Sequence, residues 1–224
     1  MIKETKFRNV FEMKKGRKKI LLTKNLAKGI SVYSEKLITD KDTEYREWKP
    51  EHSKLAAAIA KGIRQINLKP DNVVLYLGAS TGTTVSHVSD IVGKGGFVFA
   101  LDSAPRVMRE LVFVSENRPN IAPILADANQ PETYKDRITQ VDWLYQDIAQ
   151  KHQVDIFLKN VDAFLKPNHF ALLAIKARSI DVTKDPSVLF EQVKKQLEKH
   201  LIIADKVLLS PYQKDHCLFV CKKK

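Results

Sequence analysis

Residues 75–90 read "LYLGASTGTTVSHVSD" and combine an apolar run, a turn with two glycines and an amphipathic segment. The apolar run predicts a buried strand that ends at Gly78, and the segment after the turn predicts a helix from about Thr83. A Walker loop needs Gly-Lys-Ser/Thr and a Rossmann dinucleotide turn needs three glycines, so neither motif is present. Gly78 and Gly82 still allow the backbone to approach a ligand closely.

Strand-like and helix-like segments alternate from this turn onward. The predicted strands are "NVVLYLG", "GFVFALD", "IAPILAD", "VDWLYQD", "FALLAIK", "ADKVLLS" and "CLFVCKK". This alternation predicts an α/β fold with a seven-stranded, mostly parallel sheet covered on both faces, in which ligands bind at the carboxyl ends of the strands. The connection "PYQKDH" is too short for a crossover, so the last strand should be antiparallel.

The amino-terminal part differs in pattern. Up to about residue 48, short segments rich in β-branched and aromatic residues are separated by turn signals such as "TDKD", which predicts a small antiparallel β module. We therefore divide the chain into a β module, residues 1–50, and an α/β domain, residues 51–224. Pro50 is predicted to open a helix whose apolar positions are Leu55, Ile59 and Ile63.

Positive charge is concentrated in the β module. The chain of 224 residues has a net charge of +12, and residues 1–50 hold 14 Lys and Arg against 7 Asp and Glu, a net charge of +7. This excess suits a polyanionic partner, although lysines dispersed on a solvated surface would give the same count. The densest run, "KKGRKK" at 14–19, has a central glycine and apolar flanks, which predicts the tip of a hairpin.

Cysteine content and hydropathy indicate the cellular setting. Cys217 and Cys221 lie four residues apart in "CLFVC", a spacing that strand alternation places on one face, as buried thiols rather than as a disulfide or a zinc site. There is no window of 18 apolar residues, and "MIKETKFRNV" is too polar for a signal peptide. We expect a cytoplasmic protein without membrane contact.

Acidic residues at successive strand ends indicate the ligand. Asp102 lies 24 residues after Gly78, where an acid can bind a ribose. Asp127 ends the third predicted strand, where an adenine amino group could be bound, and Asp147 ends the fourth, beside the place where a reactive methyl group would lie. A turn without a third glycine or a lysine serves a pyrophosphate poorly, so S-adenosylmethionine is the favoured ligand. Alternatives are a nucleotide-binding oxidoreductase, or a ligand-free α/β domain in which these residues only cap helices.

A close resemblance to a known family rests on several motifs in order. "YLGASTGTTVSHVSD", "APRVMREL", "ILADANQP", "YQDIAQ", "AIKARSIDVTKDP" and "KDHCLFV" resemble the fibrillarins, and "YREW" and "SKLAAAI" match upstream. The resemblance covers essentially the whole chain. It implies a Rossmann-like S-adenosylmethionine-dependent methyltransferase fold. The family usually has Glu and an aromatic residue where this chain has Asp102 and Ser103.

The resemblance also implies an activity and its partners. It implies 2′-O-methylation of ribose in rRNA, and in tRNA, at sites chosen by a box C/D guide RNA. The partners that it implies are a Nop-domain scaffold protein and a ribosomal-type protein that binds the kink-turn of the guide. The predicted cofactor-binding residues are Gly78, Ala79, Ser80, Gly82, Thr83, Thr84, Asp102, Ser103, Asp127, Ala128, Asp147 and Gln150.

The catalytic residues that the resemblance implies are Lys54, Asp147, Lys176 and His216. Topology supports the group, because Asp147 and Lys176 end parallel strands while His216 starts an antiparallel one, which places all three at one edge of the sheet. Lys176 is predicted to act as base or to orient the hydroxyl, with its pKa lowered by partial burial and by Lys54. Asp147 would position Lys176. A small-molecule methyltransferase and a non-catalytic RNA-binding subunit remain as alternatives.

Overall fold

The computed structural model describes residues 1–16 and 18–224, which form two sheets and the helices that cover them. The first sheet contains β1 (Ile2–Glu4), β2 (Val10–Lys15), β3 (Lys18–Lys24), β4 (Leu37–Asp40) and β5 (Thr43–Trp48). The second contains β6 (Val73–Leu77), β7 (Phe97–Asp102), β8 (Ile121–Leu125), β9 (Val141–Gln146), β10 (Leu165–Lys176), β11 (Leu201–Leu208) and β12 (His216–Lys223). The helices are α1 (Lys54–Ala60), α2 (Thr83–Val92), α3 (Pro105–Glu116), α4 (Gln153–Phe164), α5 (Ala177–Ile180) and α6 (Pro186–Glu198).

The first sheet is the predicted β module. Its strands lie in the order β1-β2-β3-β5-β4, and every neighbouring pair is antiparallel. Strands β2 and β3 form the predicted hairpin, with Lys15 paired to Lys18 at its end and Gly16 at a φ of +61°. Arg17 of the basic run lies outside the described residues. The lysines at the tip are exposed, so their charge is available to a partner.

The second sheet confirms the predicted fold class. Its strand order is β11-β12-β10-β9-β6-β7-β8. Strands β6 to β10 are parallel to their neighbours within this group. Strand β12 is antiparallel to both β10 and β11, as the short connection before it predicts. The carboxyl ends of the five parallel strands therefore meet at one edge of the sheet.

The core lies on both faces of this sheet. On β6, Val74 and Tyr76 belong to one apolar cluster with residues of α1 and α2, whereas Leu75 and Leu77 belong to a second cluster with residues of α4 and α6. Because every one of these four side chains is buried, β6 reads as a continuous apolar run rather than as an alternating one. The carboxyl end of β6, from which the glycine turn starts, is therefore packed on both faces of the sheet.

The predicted start of the first helix is wrong. Pro50 lies in the preceding turn, and α1 begins at Lys54 with Ser53 as its N-cap, whose hydroxyl accepts a hydrogen bond from the Ala56 N–H. Ile63 is buried but lies beyond the end of α1. With Pro50 at N1 the N-cap would be Lys49, whose side chain has no oxygen to accept a hydrogen bond from a helix N–H, whereas Ser53 supplies one. The shift places Lys54 in the first turn of the helix.

The cysteines lie where the spacing predicts. Cys217 and Cys221 are on β12, are both fully buried, and pack into the same apolar cluster. Burial raises the pKa of the Cys217 thiol to about 12 and raises that of Cys221 as well. Both are therefore protonated, unreactive core side chains at neutral pH.

A buried ionic cluster joins the β module to α2. Asp90 on α2 accepts hydrogen bonds from Arg46 Nη1 at 2.9 Å, Arg118 Nη1 at 2.5 Å and Thr23 Oγ1 at 2.8 Å. Arg46 also pairs with Glu35 at 2.6 Å, and both of these side chains are buried. A buried charge that lost one partner would be costly, so the cluster constrains how the two parts pack. Whether residues 1–50 form a separate domain stays a prediction.

The described residues contain no candidate membrane-spanning helix. None of the helices within residues 1–16 and 18–224 combines the length and the apolar character that crossing a bilayer requires.

Candidate active site

The glycine turn at residues 78–82 is shaped by close approach of two loops. Gly78 has a φ of +81°, and a Cβ at this position would lie 2.3 Å from the carbonyl oxygen of Asp147. The N–H groups of Gly78 and Ala79 both donate to Leu101 O, at 2.9 and 3.0 Å. Gly82, at a φ of +92°, is the N-cap residue of α2. Glycine at 78 is thus required by both conformation and space.

A cavity of about 240 Å³ opens beside this turn, at the carboxyl ends of β6, β7, β8 and β9. Its walls are formed by Gly78, Ser80, Leu101, Asp102, Ser103, Asp127, Ala128, Asp147, Ile148, Ala149 and Gln150. Eight of the twelve predicted cofactor-binding residues are in this set. A polar cavity at the strand ends, next to a glycine turn, suits a nucleoside-like ligand.

The other four predicted residues do not line the cavity. Ala79 and Thr84 are buried, Gly82 caps α2, and Thr83 is the first residue of that helix. The Thr84 hydroxyl donates to Ser53 Oγ at 3.1 Å, which links α2 to the cap of α1. These residues shape the turn and the helix start, and their direct contact with a cofactor stays a prediction.

Three lining residues are missing from the sequence prediction: Leu101, Ile148 and Ala149. Their side chains are apolar and carry no chemical signal that distinguishes them from core residues. Their one signal is position, because Leu101 precedes Asp102 and the other two follow Asp147 directly.

Asp102, the last residue of β7, holds the glycine turn in place. Its Oδ2 accepts a hydrogen bond from the Ser80 N–H at 2.8 Å, and its Oδ1 accepts from the Ala104 N–H at 3.0 Å. Ser80 has a φ of +49°, so this bond helps to hold a conformation that a serine rarely adopts. Each carboxylate oxygen keeps a second acceptor site, which leaves Asp102 able to bind a ribose as well.

The predicted catalytic residues meet at the same edge of the sheet. Lys176 ends β10, and His216, which starts β12, is its cross-strand partner. Lys54 Nζ lies 2.7 Å from Asp147 Oδ1 and 2.9 Å from Oδ2, so one ammonium group contacts both oxygens. The two partners are 93 positions apart in the chain, and both are partly exposed. Lys54 and Asp147 thus form a hydrogen-bonded ion pair within the predicted catalytic group.

Two details of the catalytic prediction are wrong. Lys176 is exposed rather than partly buried, because it is the last residue of β10 and extends beyond the packed faces of the sheet. Asp147 pairs with Lys54 rather than with Lys176, whose Nζ makes no hydrogen bond or ion pair within residues 1–16 and 18–224. Lys176 is therefore free to approach a substrate.

His216 is held in one orientation. Its Nδ1 donates to the Lys214 carbonyl oxygen at 2.5 Å, which assigns the ring proton to Nδ1 and leaves Nε2 as an acceptor. Burial lowers the pKa of His216, and the charges of Lys54 and Lys176 lower it further, while the Lys214 carbonyl and Asp147 oppose the shift. The imidazole is therefore neutral at neutral pH and can accept a hydrogen bond.

Two buried tyrosines, on which the charge of Asp147 acts, were not predicted. Tyr76 on β6 and Tyr145 on β9 pack with ring centroids 4.8 Å apart. Burial raises the pKa of both phenols, and the charge of Asp147 raises them further. They therefore remain neutral at neutral pH.

Comparisons with known proteins agree on one family. The fibrillarin family model matches residues 1–224. A relative from Methanocaldococcus jannaschii, named fibrillarin-like rRNA/tRNA 2′-O-methyltransferase, is 49% identical over 216 residues, which cover 96% of this chain and 94% of the relative.

Solved structures agree in fold as well. Aeropyrum pernix fibrillarin with natively bound S-adenosyl-L-methionine has a TM-score of 0.92 and 41% identity, and the match covers 99% of this chain and 97% of that one. A chain of a fibrillarin/Nop5p complex has a TM-score of 0.90 and 39% identity, and covers 99% of this chain and 100% of that one.

Proposed function

This chain belongs to the fibrillarin family, and on that premise we propose that it transfers a methyl group from S-adenosylmethionine to the 2′-hydroxyl of ribose in rRNA and tRNA. One observation carries the proposal. A cavity with the polar groups that a nucleoside requires opens directly beside the Lys54–Asp147 pair, because Asp147 belongs to both. Cofactor and reacting hydroxyl would thus meet at one residue.

The residues of the cavity fit S-adenosylmethionine. Gly78 supplies a backbone without a side chain against the ligand, Asp102 offers carboxylate oxygens to a ribose, and Asp127 offers them to an adenine amino group. Leu101 and Ile148 supply apolar contact for the base. When bound, S-adenosylmethionine would supply a methyl group on a positively charged sulfur, and this sulfur would leave as a neutral thioether when a ribose oxygen attacks the methyl carbon in line.

The catalytic residues have to orient the ribose hydroxyl and remove its proton. Lys176 is exposed at the edge of the sheet where the cavity opens, and it serves as the base or orients the hydroxyl. His216 Nε2, a neutral acceptor, can hold the same hydroxyl. Lys54 balances the charge of Asp147, so the carboxylate can lie beside the transfer without a net negative charge.

RNA selection is assigned to partners. The basic hairpin tip and the net charge of +7 over residues 1–50 support salt-sensitive contact with phosphates, which carries no sequence preference. A box C/D guide RNA selects the target by base pairing, and a Nop-domain scaffold delivers the enzyme. The fibrillarin/Nop5p complex supports such a scaffold. A kink-turn-binding ribosomal-type protein completes the particle, which we place in the cytoplasm.

The proposal is tested by assembling the reaction stepwise. A target RNA that is complementary to a guide is incubated with tritiated methyl donor and this protein alone, and then with guide RNA and scaffold proteins added at matched salt. Methylation at one 2′ position is expected only in the complete mixture. Efficient methylation of one defined nucleotide by the protein alone would indicate a stand-alone enzyme and contradict guided selection.

The Asp102→Ala variant should bind S-adenosylmethionine more weakly by about 1.5 to 3 kcal/mol, because a charge-assisted ribose bond and the support of Ser80 are both lost. Titration calorimetry on the isolated protein measures this change. Asp185→Ala is the matched control, since the Asp185 carboxylate also accepts a backbone N–H, from Ser187 at 2.8 Å, but at the start of α6. Unchanged affinity in Asp102→Ala would remove this residue from the site.

A further inference from the structure

The loop that carries Asp127 and Ala128 is supported from beneath by buried polar side chains. Asn160 on α4 donates from Nδ2 to the Ala128 carbonyl oxygen at 2.8 Å. Its Oδ1 accepts a hydrogen bond from the Tyr134 hydroxyl at 2.5 Å. Asn160 is fully buried and Tyr134 is 1% exposed. Neither lines the cofactor cavity, yet both fix a residue that does.

We propose that Tyr134 and Asn160 are positioning residues that set the selectivity of the cavity for adenine. The inference rests on the proposed function, because it assigns the adenine amino group to Asp127. An exocyclic amino group donates a hydrogen bond to a carboxylate, whereas a 6-oxo group in its place would face the carboxylate with another acceptor. This discrimination requires Asp127 to be held at hydrogen-bonding distance and angle.

The local geometry shows why support from α4 is needed. Asp127 and the residues after it form a turn, in which Asp127 Oδ1 accepts from the Asn129 N–H at 2.9 Å and Asp127 O accepts from the Gln130 N–H at 2.9 Å. These bonds shape the turn but do not attach it to the protein. Attachment comes from Asn160, from the Tyr134 hydroxyl, which lies 3.4 Å from the Ala128 carbonyl oxygen, and from an exposed contact between Lys159 Nζ and Asn129 Oδ1 at 3.0 Å. The buried contacts are more rigid than the exposed one.

The polar groups in this support are paired with one another. The second Nδ2 hydrogen of Asn160 is directed to Ile156 O within α4, at 2.9 Å. The ring of Tyr134 stacks on Phe164, with centroids 5.5 Å apart. Burial raises the pKa of Tyr134, so its hydroxyl remains a donor. Loss of the Asn160 amide would release the Ala128 carbonyl and leave buried groups without these partners.

The test compares two ligands that differ at one group of the base, S-adenosylhomocysteine and S-inosylhomocysteine, by titration calorimetry on the full chain. The unmodified protein should bind the adenine ligand at least about tenfold more tightly, and Asn160→Leu should bring this ratio to about one, mainly by weakening the adenine ligand. Tyr134→Phe keeps the ring stacking and should lower the ratio by a smaller factor.

Asn120→Leu is the matched control for buried amide loss. Asn120 is also buried, and its Nδ2 donates to Ser89 O at 3.1 Å and Gly93 O at 2.9 Å, away from the cavity lining. This variant should lose stability and keep the wild-type ratio. An unchanged ratio in folded Asn160→Leu, or in Tyr134→Phe where the former does not fold, overturns the inference alone. Failure of the unmodified protein to bind S-adenosylhomocysteine overturns the proposed function together with it.

Discussion

Gly78→Ala should weaken binding of S-adenosylmethionine to the isolated protein by about 10²-fold or more. The added Cβ would lie 2.3 Å from Asp147 O and 2.9 Å from its carbonyl carbon, both backbone atoms. Asp147 cannot retreat freely, because its N–H donates to Leu77 O at 2.9 Å. The collision therefore separates two walls of the cavity, and a residue with a Cβ at a φ of +81° adds strain of about 1–3 kcal/mol.

Gly29→Ala separates these two causes. Gly29 has a φ of +80°, nearly the same as Gly78, but a Cβ there would meet no atom of the described residues within 4 Å. This control should show the cost of backbone conformation in its thermal unfolding and bind the cofactor like the unmodified protein. Titration calorimetry on both variants measures their affinity for S-adenosylmethionine and so separates the effect of close approach from that of backbone strain. If Gly78→Ala bound as well as Gly29→Ala, close approach at the turn would not matter for the ligand.

Asp147→Ala should lower turnover in the assembled particle by about 10²-fold or more while particle assembly remains intact. The substitution removes a carboxylate from the cavity wall and leaves the Lys54 ammonium without the two oxygens that it contacts. An unbalanced positive charge would then lie beside a cofactor that is itself positively charged. The effect is measured as the single-turnover rate at which a tritiated methyl group is transferred to a target RNA that is paired with its guide.

The pair itself can be tested by combining variants. Lys54→Ala should also slow transfer, and the double variant should be no slower than the worse single one, because the two side chains act as a unit. Asp142→Ala is the matched control, since Asp142 pairs with Lys166 at 2.7 Å near the opposite end of β9. Turnover of Asp147→Ala within a few-fold of the control would assign Asp147 to structure alone.

The sequence predicted those features that depend on local chain pattern. The glycine turn, the alternation of strands and helices, the hairpin tip and the antiparallel last strand follow from residues within about ten positions of one another. The acids at strand ends are predictable for the same reason, since parallel strands bring their carboxyl ends to one edge. Together with the family resemblance, these features predicted eight of the residues that line the cavity.

Pairings between distant residues were not predictable in this way. Periodicity places a side chain on a face or at an edge, but it does not select its partner there. Asp147 could reach either Lys54 or Lys176 by that argument, and the structure pairs it with Lys54. The missed lining residues share this cause, because an apolar side chain gives the same pattern in a core as in a cavity wall.

The amino-acid sequence by itself thus determined the fold class and the location of the site, because these follow from turn chemistry and from the periods of helices and strands. The acids at the strand ends and the family resemblance favoured S-adenosylmethionine as the ligand. Only the tertiary structure decided that Asp90 joins Arg46 to Arg118, that Lys54 meets Asp147, and that Asn160 supports Ala128. The physical reason is range. A hydrogen bond depends on a few tenths of an ångström between atoms that the chain separates by tens of residues, and packing of the whole core sets that distance.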